Sequence, residues 1–388
     1  MTRTGFFLFL GLAPAILSCG KPQEPWGGPA RDAGRGATVR QAIPGCPDHF
    51  PGRIWAACDF EQSRKDVLWT GLPETADIPA YPGNTTALRA VPVGREGTRS
   101  LVVKPADYPR MSRESRVYFR YYLEGASSVS LQILNLDKKS FHELTVTGLT
   151  TGAWAEATVD LSGVPASGAG DGDEGGSLIA EGERMDGLVI YAEPAEMGAS
   201  CELMVDDVIF FSDSPGRHQA KDQPFPRRVI YIRGFDVVDN YHPWTHENYR
   251  VIRKGEHLEN DWGVACALKH PKRPGKRVRL IIDPPQAVGE STRMRFRYRL
   301  EGASKLQVQI FDLSDMDNRH IVIPDAGQGR WQWAVVDFTA DGIKNDGIQT
   351  PFKPGNLVDD IFFLPGDVQP GSEVELLIDE VVLYDAGR

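Results

Sequence analysis

A chain of 388 residues is longer than one ordinary β domain and can bury two sizeable cores. With 40 glycines, 28 prolines, 41% hydrophobic residues and no bilayer-length apolar run after residue 18, the composition excludes a multi-spanning helical membrane protein. A formal net charge of −10 argues against nucleic acid as a partner.

In chain order, Arg3, the apolar stretch Gly5 to Leu17 and then Ile16-Leu17-Ser18-Cys19 have the order of a secretory signal. The last four residues resemble a bacterial lipobox. Residues 1–18 are therefore expected to be a lipoprotein signal peptide, with Cys19 lipidated and anchoring the chain to the cell envelope through several acyl chains. Gly20, in place of Asp, is compatible with the outer membrane. Residues 20–45 lack an apolar period and are rich in Gly, Pro and Arg, so 19–50 reads as a lipidated cysteine and flexible tether. Export permits disulfides: Cys46 with Cys58, or Cys58 with Cys201, are the pairings considered, with Cys266 left as a buried free thiol.

Residues 115–133 (SRVYFRYYLEGASSVSLQI) align without a gap to 292–310 (TRMRFRYRLEGASKLQVQI), with eleven of nineteen positions identical at an offset of 177. The match continues upstream at an offset of 175, where Asp59-Phe60-Glu61 meets Gly234-Phe235-Asp236, and downstream at 173, where Val205-Asp206-Asp207-Val208 meets Ile378-Asp379-Glu380-Val381. The expected units are a first β-sandwich repeat over 51–213, a linker over 214–228 and a second repeat over 229–388. Within each, Phe119, Tyr121 and Leu123 alternate with Tyr118, Arg120 and Tyr122, a period of two that marks half-buried strands. No segment has a helical period long enough for a crossover, so the fold class is all-β: two tandem antiparallel jelly-roll sandwiches.

The openings Phe60-Glu61 and Trp69-Thr70, the stretch Gly152 to Leu161, and the closing Val205-Asp206-Asp207-Val208 resemble the galactose-binding-like β-sandwich families, which include carbohydrate-binding modules. The resemblance implies polysaccharide or another surface glycan as ligand. It also implies a structural calcium held by Glu61 with Asp206 or Asp207, and by Asp236 with Asp379 or Glu380, because calcium takes several oxygen ligands. The matched tryptophans Trp69, Trp244, Trp154 and Trp331 are expected in or near the core. The acidic stretch Asp171, Asp173, Glu174 reads as a solvated insertion.

If alternate strand positions face outward, Tyr118, Arg120, Tyr122 and Gln132 form the ligand face of the first repeat. The same positions in the second are Arg295, Arg297, Arg299 and Gln309, a row of cations suited to an acidic polysaccharide. The loop from Tyr241 to Tyr249, with Trp244, is the best candidate for a site peculiar to the second repeat. His142 and His320 match at an offset of 178 if the turn before His320 has one more residue, and both read as structural. The cluster Lys269, Lys272, Arg273, Lys276, Arg277, Arg279 reads as a solvated hairpin. No Gly-x-Ser-x-Gly, His-Glu-x-x-His or phosphate-cradling glycine loop is present, so a binder without catalysis is expected, and two modules on one tether add avidity. The alternatives are a structural or adhesive protein that binds another protein, and a jelly-roll lyase or glycosidase.

Overall fold

Alternating apolar and polar side chains cannot bury one face without a second layer, and the chain answers with sheets stacked in pairs. The computed structural model describes residues 38–61, 67–75, 86–92, 98–105, 110–112, 114–164, 179–192, 194–195, 199–213, 223–235, 249–252, 264–269, 275–327, 329–368 and 370–386. Among them there is no helix. Cys19, Asp236, Tyr241, Trp244 and the stretch Asp171 to Glu174 lie outside the described residues.

The first half holds β1 (Thr38–Gln41), β2 (Ile43–Pro44), β3 (Arg53–Cys58), β4 (Val67–Thr70), β5 (Leu72–Thr75), β6 (Thr86–Arg89), β7 (Val91–Pro92) and β8 (Arg99–Pro105). It continues with β9 (Ser115–Glu124), β10 (Val129–Asn135), β11 (Ser140–Thr147), β12 (Trp154–Asp160), β13 (Met185–Ala192) and β14 (Glu202–Ser212). One layer, the back sheet, runs β1-β11-β10-β13-β8-β4 with β7 on β8; the other, the front sheet, runs β2-β12-β9-β14-β6-β5 with β3 on β14. Val117, Phe119, Tyr121 and Leu123 of the front sheet meet Val129, Leu131 and Ile133 of the back sheet in one core.

The second half holds β15 (Arg228–Arg233), β16 (Tyr249–Ile252), β17 (Val264–Lys269), β18 (Lys276–Ala287) and β19 (Thr292–Glu301). After them come β20 (Ala303–Asp312), β21 (Asp317–Ile323), β22 (Gln332–Asp337), β23 (Leu357–Val368) and β24 (Glu375–Asp385). Its order is β21-β20-β23-β18-β17-β24-β19-β22, with β15 on β24 and β16 on β17. The sequences β11-β10-β13-β8 and β12-β9-β14-β6 of the first half thus correspond strand for strand to β21-β20-β23-β18 and β22-β19-β24-β17. The pairing of β17 with β18 joins the second half's two layers into one ladder.

The strained backbone positions correspond too. Phe60 and Phe235 (φ 54° and 56°), Lys139 and Met316 (54° and 53°), and Asp207 and Glu380 (48° and 46°) all adopt left-handed conformations uncommon for side-chain-bearing residues. Asp207 and Glu380 sit at bulges where the closing strand shifts register against β9 or β19. The Leu-Glu-Gly-Ala-Ser identity has a steric cause: a Cβ on Gly125 or Gly302 would lie 2.3 Å from the carbonyl of Ser200 or Glu373, and both glycines have positive φ.

Three expectations change. Residues 38–44, read as tether, are strands: β1 lies along β11 and β2 along β12, with Ala42 buried between them and its N–H donating to the Thr147 carbonyl at 2.9 Å. The β1–β11 pairing is parallel, the exception to the antiparallel rule, because this segment enters alongside an edge instead of returning through a hairpin. Cys46, Cys58, Cys201 and Cys266 form no disulfide with one another, and Cys58 and Cys201 serve as small core residues.

A third cluster joins the halves. Tyr118, Ile209, Phe211 and Ile54 of the first pack with Phe225, Val229, Val382 and Tyr384 of the second, together with Phe50. At its rim Arg228, 1% exposed, donates from Nε to Asp59 at 2.9 Å and from Nη1 to the Ala287 carbonyl at 2.8 Å.

Candidate functional site

The Tyr/Arg row is not an open groove, since the seam between the halves covers Tyr118 and Arg295, and Arg120 and Arg297 are buried against side chains of their own half. Tyr118 is wholly buried and stacks edge-on against Phe225 at 5.1 Å. Burial, with Glu156 and Asp207 nearby, pushes its phenol well above the ordinary value. Arg120 is also buried, its Nη2 donating to Glu156 at 3.2 Å and its Nη1 lying 3.5 Å from Asp207. Burial opposes its charge, but Asp207, Tyr118 and Glu156 outweigh that and raise its pKa. In the second half Arg295 and Arg297 are 2% and 6% exposed, with Arg295 Cζ 3.7 Å from the Trp333 ring centroid and Arg297 Cζ 4.3 Å from that of Trp331. An arginine so covered packs a ring; it does not present cations to a polymer.

Only the far end of that face stays open. Tyr122 and Arg299 are partly exposed. Tyr122 belongs to one cross-strand row, Trp154-Tyr122-Met204-Arg89-Leu72, whose members are partly exposed or exposed. Its Trp154 and Tyr122 rings are 6.2 Å apart, and Tyr122 donates to Glu124 at 2.8 Å. Trp154 thus lies on the outer face and not in the core, whereas Trp331 packs against the buried cluster of Val264, Cys266 and Leu377 and Trp69 packs edge-on against Phe60 at 6.1 Å. Arg299 donates to the Gly329 carbonyl at 2.9 Å.

Gln132 and Gln309 are parted from the row by the fold itself. β10 and β20 lie in the back layer, so these glutamines face outward on the opposite side of each sandwich from Tyr122 and Arg299. Gln132 accepts a hydrogen bond from Tyr191 at 3.1 Å, with Glu143 in register beside it on β11. Gln309 has His320 in register on one side and Phe362 on the other, and accepts from Gln307 at 3.2 Å. Arg277 and Arg279 flank the Phe362 ring, their Cζ atoms 5.8 and 5.7 Å from its centroid, and Arg279 binds Asp360 with two hydrogen bonds of 3.0 and 2.8 Å. These arginines therefore belong to a sheet face, not to a solvated hairpin. In both halves an amide lies close to a partly exposed ring among charged groups, a set able to hold a C–H face and hydroxyls. Tyr191 and Phe362 escaped the sequence reading, which followed alternation along β9 and β10 alone; Met185–Ala192 is buried at all positions but Tyr191 and carries no such alternation.

His142 and His320 are not counterparts. The turns Leu136–Lys139 and Leu313–Met316 have equal length, so His142 corresponds to Arg319, and both are buried. The His142 ring bonds the Val164 carbonyl at 2.9 Å and Ser140 at 3.1 Å. His320 corresponds to Glu143, on the outer face.

The carboxylates expected to hold calcium have protein partners of their own. Glu61 accepts the Thr86 N–H at 2.8 Å, while the Asp207 charge is met by Arg120. Asp206 is buried, and Asp379 accepts the N–H of Glu380 at 2.9 Å. No group of three or more His, Cys, Asp or Glu able to hold a metal occurs among the described residues.

No family model and no curated protein matches the sequence. Among solved structures, the N-terminal tandem carbohydrate-binding modules (CBM22-1-CBM22-2) of a Paenibacillus barcinonensis protein are similar at TM-score 0.30 and 12% identity, over 88% of this chain and 99% of that one. Allantoicase of Saccharomyces cerevisiae is similar at TM-score 0.26 and 9% identity, over 85% and 93% of the two chains. Similarity this low places the chain in neither family.

Proposed function

We propose that the chain is a non-catalytic envelope lipoprotein, built by duplication of one β-sandwich module, that binds carbohydrate on the outer face of the back layer in each half. The observation that carries this reading is the pair of matched glutamines close to rings: Gln132 bonded to Tyr191 at 3.1 Å, and Gln309 in register with Phe362. An amide both donates to and accepts from a sugar hydroxyl, and the ring covers apolar C–H groups. The first half adds Glu143 and suits a neutral glycan; the second adds Arg279 and His320 and suits an acidic one.

Affinity electrophoresis of residues 38–388 through gels containing neutral or acidic polysaccharides tests the proposal. Tyr191→Ala is expected to weaken retention by a neutral glycan about tenfold or more, since ring stacking and its hydrogen bond are each worth about 1 kcal/mol. Phe362→Ala should do the same for an acidic glycan. Absence of retention by every glycan refutes the reading. It would favour the adhesive alternative, for which the Trp154-Tyr122-Met204 row and Leu72, 57% exposed, offer a protein-docking surface.

A further inference from the structure

The seam between the halves is reciprocal. Phe225 rests edge-on against Tyr118 at 5.1 Å and Phe211 at 5.2 Å, both in the first half. Phe50 rests edge-on against Tyr384 at 5.0 Å and beneath Arg295, whose Cζ is 4.8 Å from its ring centroid, both in the second half. Phe50 and Phe225 open matching segments, Phe50-Pro51-Gly52-Arg53 and Phe225-Pro226-Arg227-Arg228, at the 175 offset of the first strand. Phe211 and Tyr384 correspond at the closing-strand offset of 173, and Tyr118 and Arg295 at 177. The rest of the seam follows suit: Ile54 with Val229, Ala57 with Ile232, Ile209 with Val382. Each entering phenylalanine is seated on the same two positions of the opposite half. Reciprocal use of one patch is the signature of an isologous, two-fold interface.

We infer that the outer face of the front sheet is a self-recognition surface whose partner is a second copy of the same module, so that the chain is an isologous pair fused into one polypeptide. This rests on the duplication proposed above and not on the glycan ligand. The departures from symmetry then acquire a role. Asp59 has Gly234 as its counterpart, so the buried Arg228–Asp59 pair, at 2.9 Å, exists on one side only. Pairing two second halves would set Arg228 against Gly234 and bury a guanidinium away from its carboxylate. The ion pair therefore selects first with second over second with second.

Hydrogen exchange on the full chain reads the reciprocity directly. Phe50→Ala should speed exchange about tenfold or more around Tyr384 in the second half, and Phe225→Ala around Tyr118 and Phe211 in the first. Changes confined to the substituted residue's own half would overturn the inference. A protease site inserted within residues 214–222 supplies a second measurement. After cleavage the fragments should co-elute as one species, and should part when both phenylalanines are alanine. Fragments that separate with the wild-type seam would equally overturn it. Glycan retention is read in a different experiment, so failure of either proposal leaves the other standing.

Discussion

At the scale of single residues, the chain handles buried charge by pairing arginine with carboxylates, carbonyls and rings. Arg228 and Asp59 are each about fully buried, and breaking such a pair strands the remaining charge at a cost of about 3–5 kcal/mol. Asp59→Ala should therefore lose about that much in urea denaturation, whereas Glu124→Ala, at an exposed strand end, should lose under about 1 kcal/mol. The seam phenols give a pH dependence. Burial pushes Tyr384 up to about 12 and Tyr118 well above the ordinary value near 10. A raised folded value means that the unfolded state loses its proton first, so the contribution is complete below pH 10 and falls away as pH rises toward 12. Arg295, lowered to about 10 by burial, works in the opposite sense and offsets part of one phenol. Melting temperatures should fall between pH 10 and 12, and Tyr384→Phe should flatten that fall.

At the scale of elements, the turns explain why the repeat is written as it is. Asn135 and Asp312 end β10 and β20 and accept the N–H groups two and three residues on: 3.1 and 3.1 Å in the first turn, 2.9 and 3.3 Å in the second. The turn closes with Lys139 or Met316 in the left-handed region, where glycine alone is unstrained. Met316 is 71% exposed, so nothing packs on its side chain to compensate. Met316→Gly should stabilise the protein by about 0.5–1 kcal/mol, measured by thermal or chemical denaturation. The β1–β2 segment shows the limit of sequence reading. Thr38 to Pro44 has no period of its own, and it becomes strand because the edges of β11 and β12 offer unpaired backbone groups and Ala42 fits the gap between the layers.

At the scale of the whole molecule, the seam makes two sandwiches one body. The intact chain should unfold in a single calorimetric transition, and the double variant Phe50→Ala with Phe225→Ala, which removes about 3–5 kcal/mol per ring, should split it into two. The β class, the inward set Phe119, Tyr121 and Leu123 and the correspondence between the halves were legible along the chain, and the shared Leu-Glu-Gly-Ala-Ser marked the turn whose glycines the fold requires. These follow from local chemistry, a period of two and a backbone that only glycine tolerates, and both are written along the chain. Which outward face stays wet is not. Tyr118, Arg120, Arg295 and Arg297 alternate as solvent-facing residues should, yet Phe225 and Phe50 of the opposite half cover Tyr118 and Arg295, and Arg120 and Arg297 are buried against Glu156 and Asp207 or Trp331, while Tyr191 and Phe362 are left partly open on the far layer. Alternation tells core side from far side of one sheet. Whether the far side meets water or another sheet depends on residues more than 100 positions away, such as Phe225 against Tyr118, and only the tertiary structure brings them together.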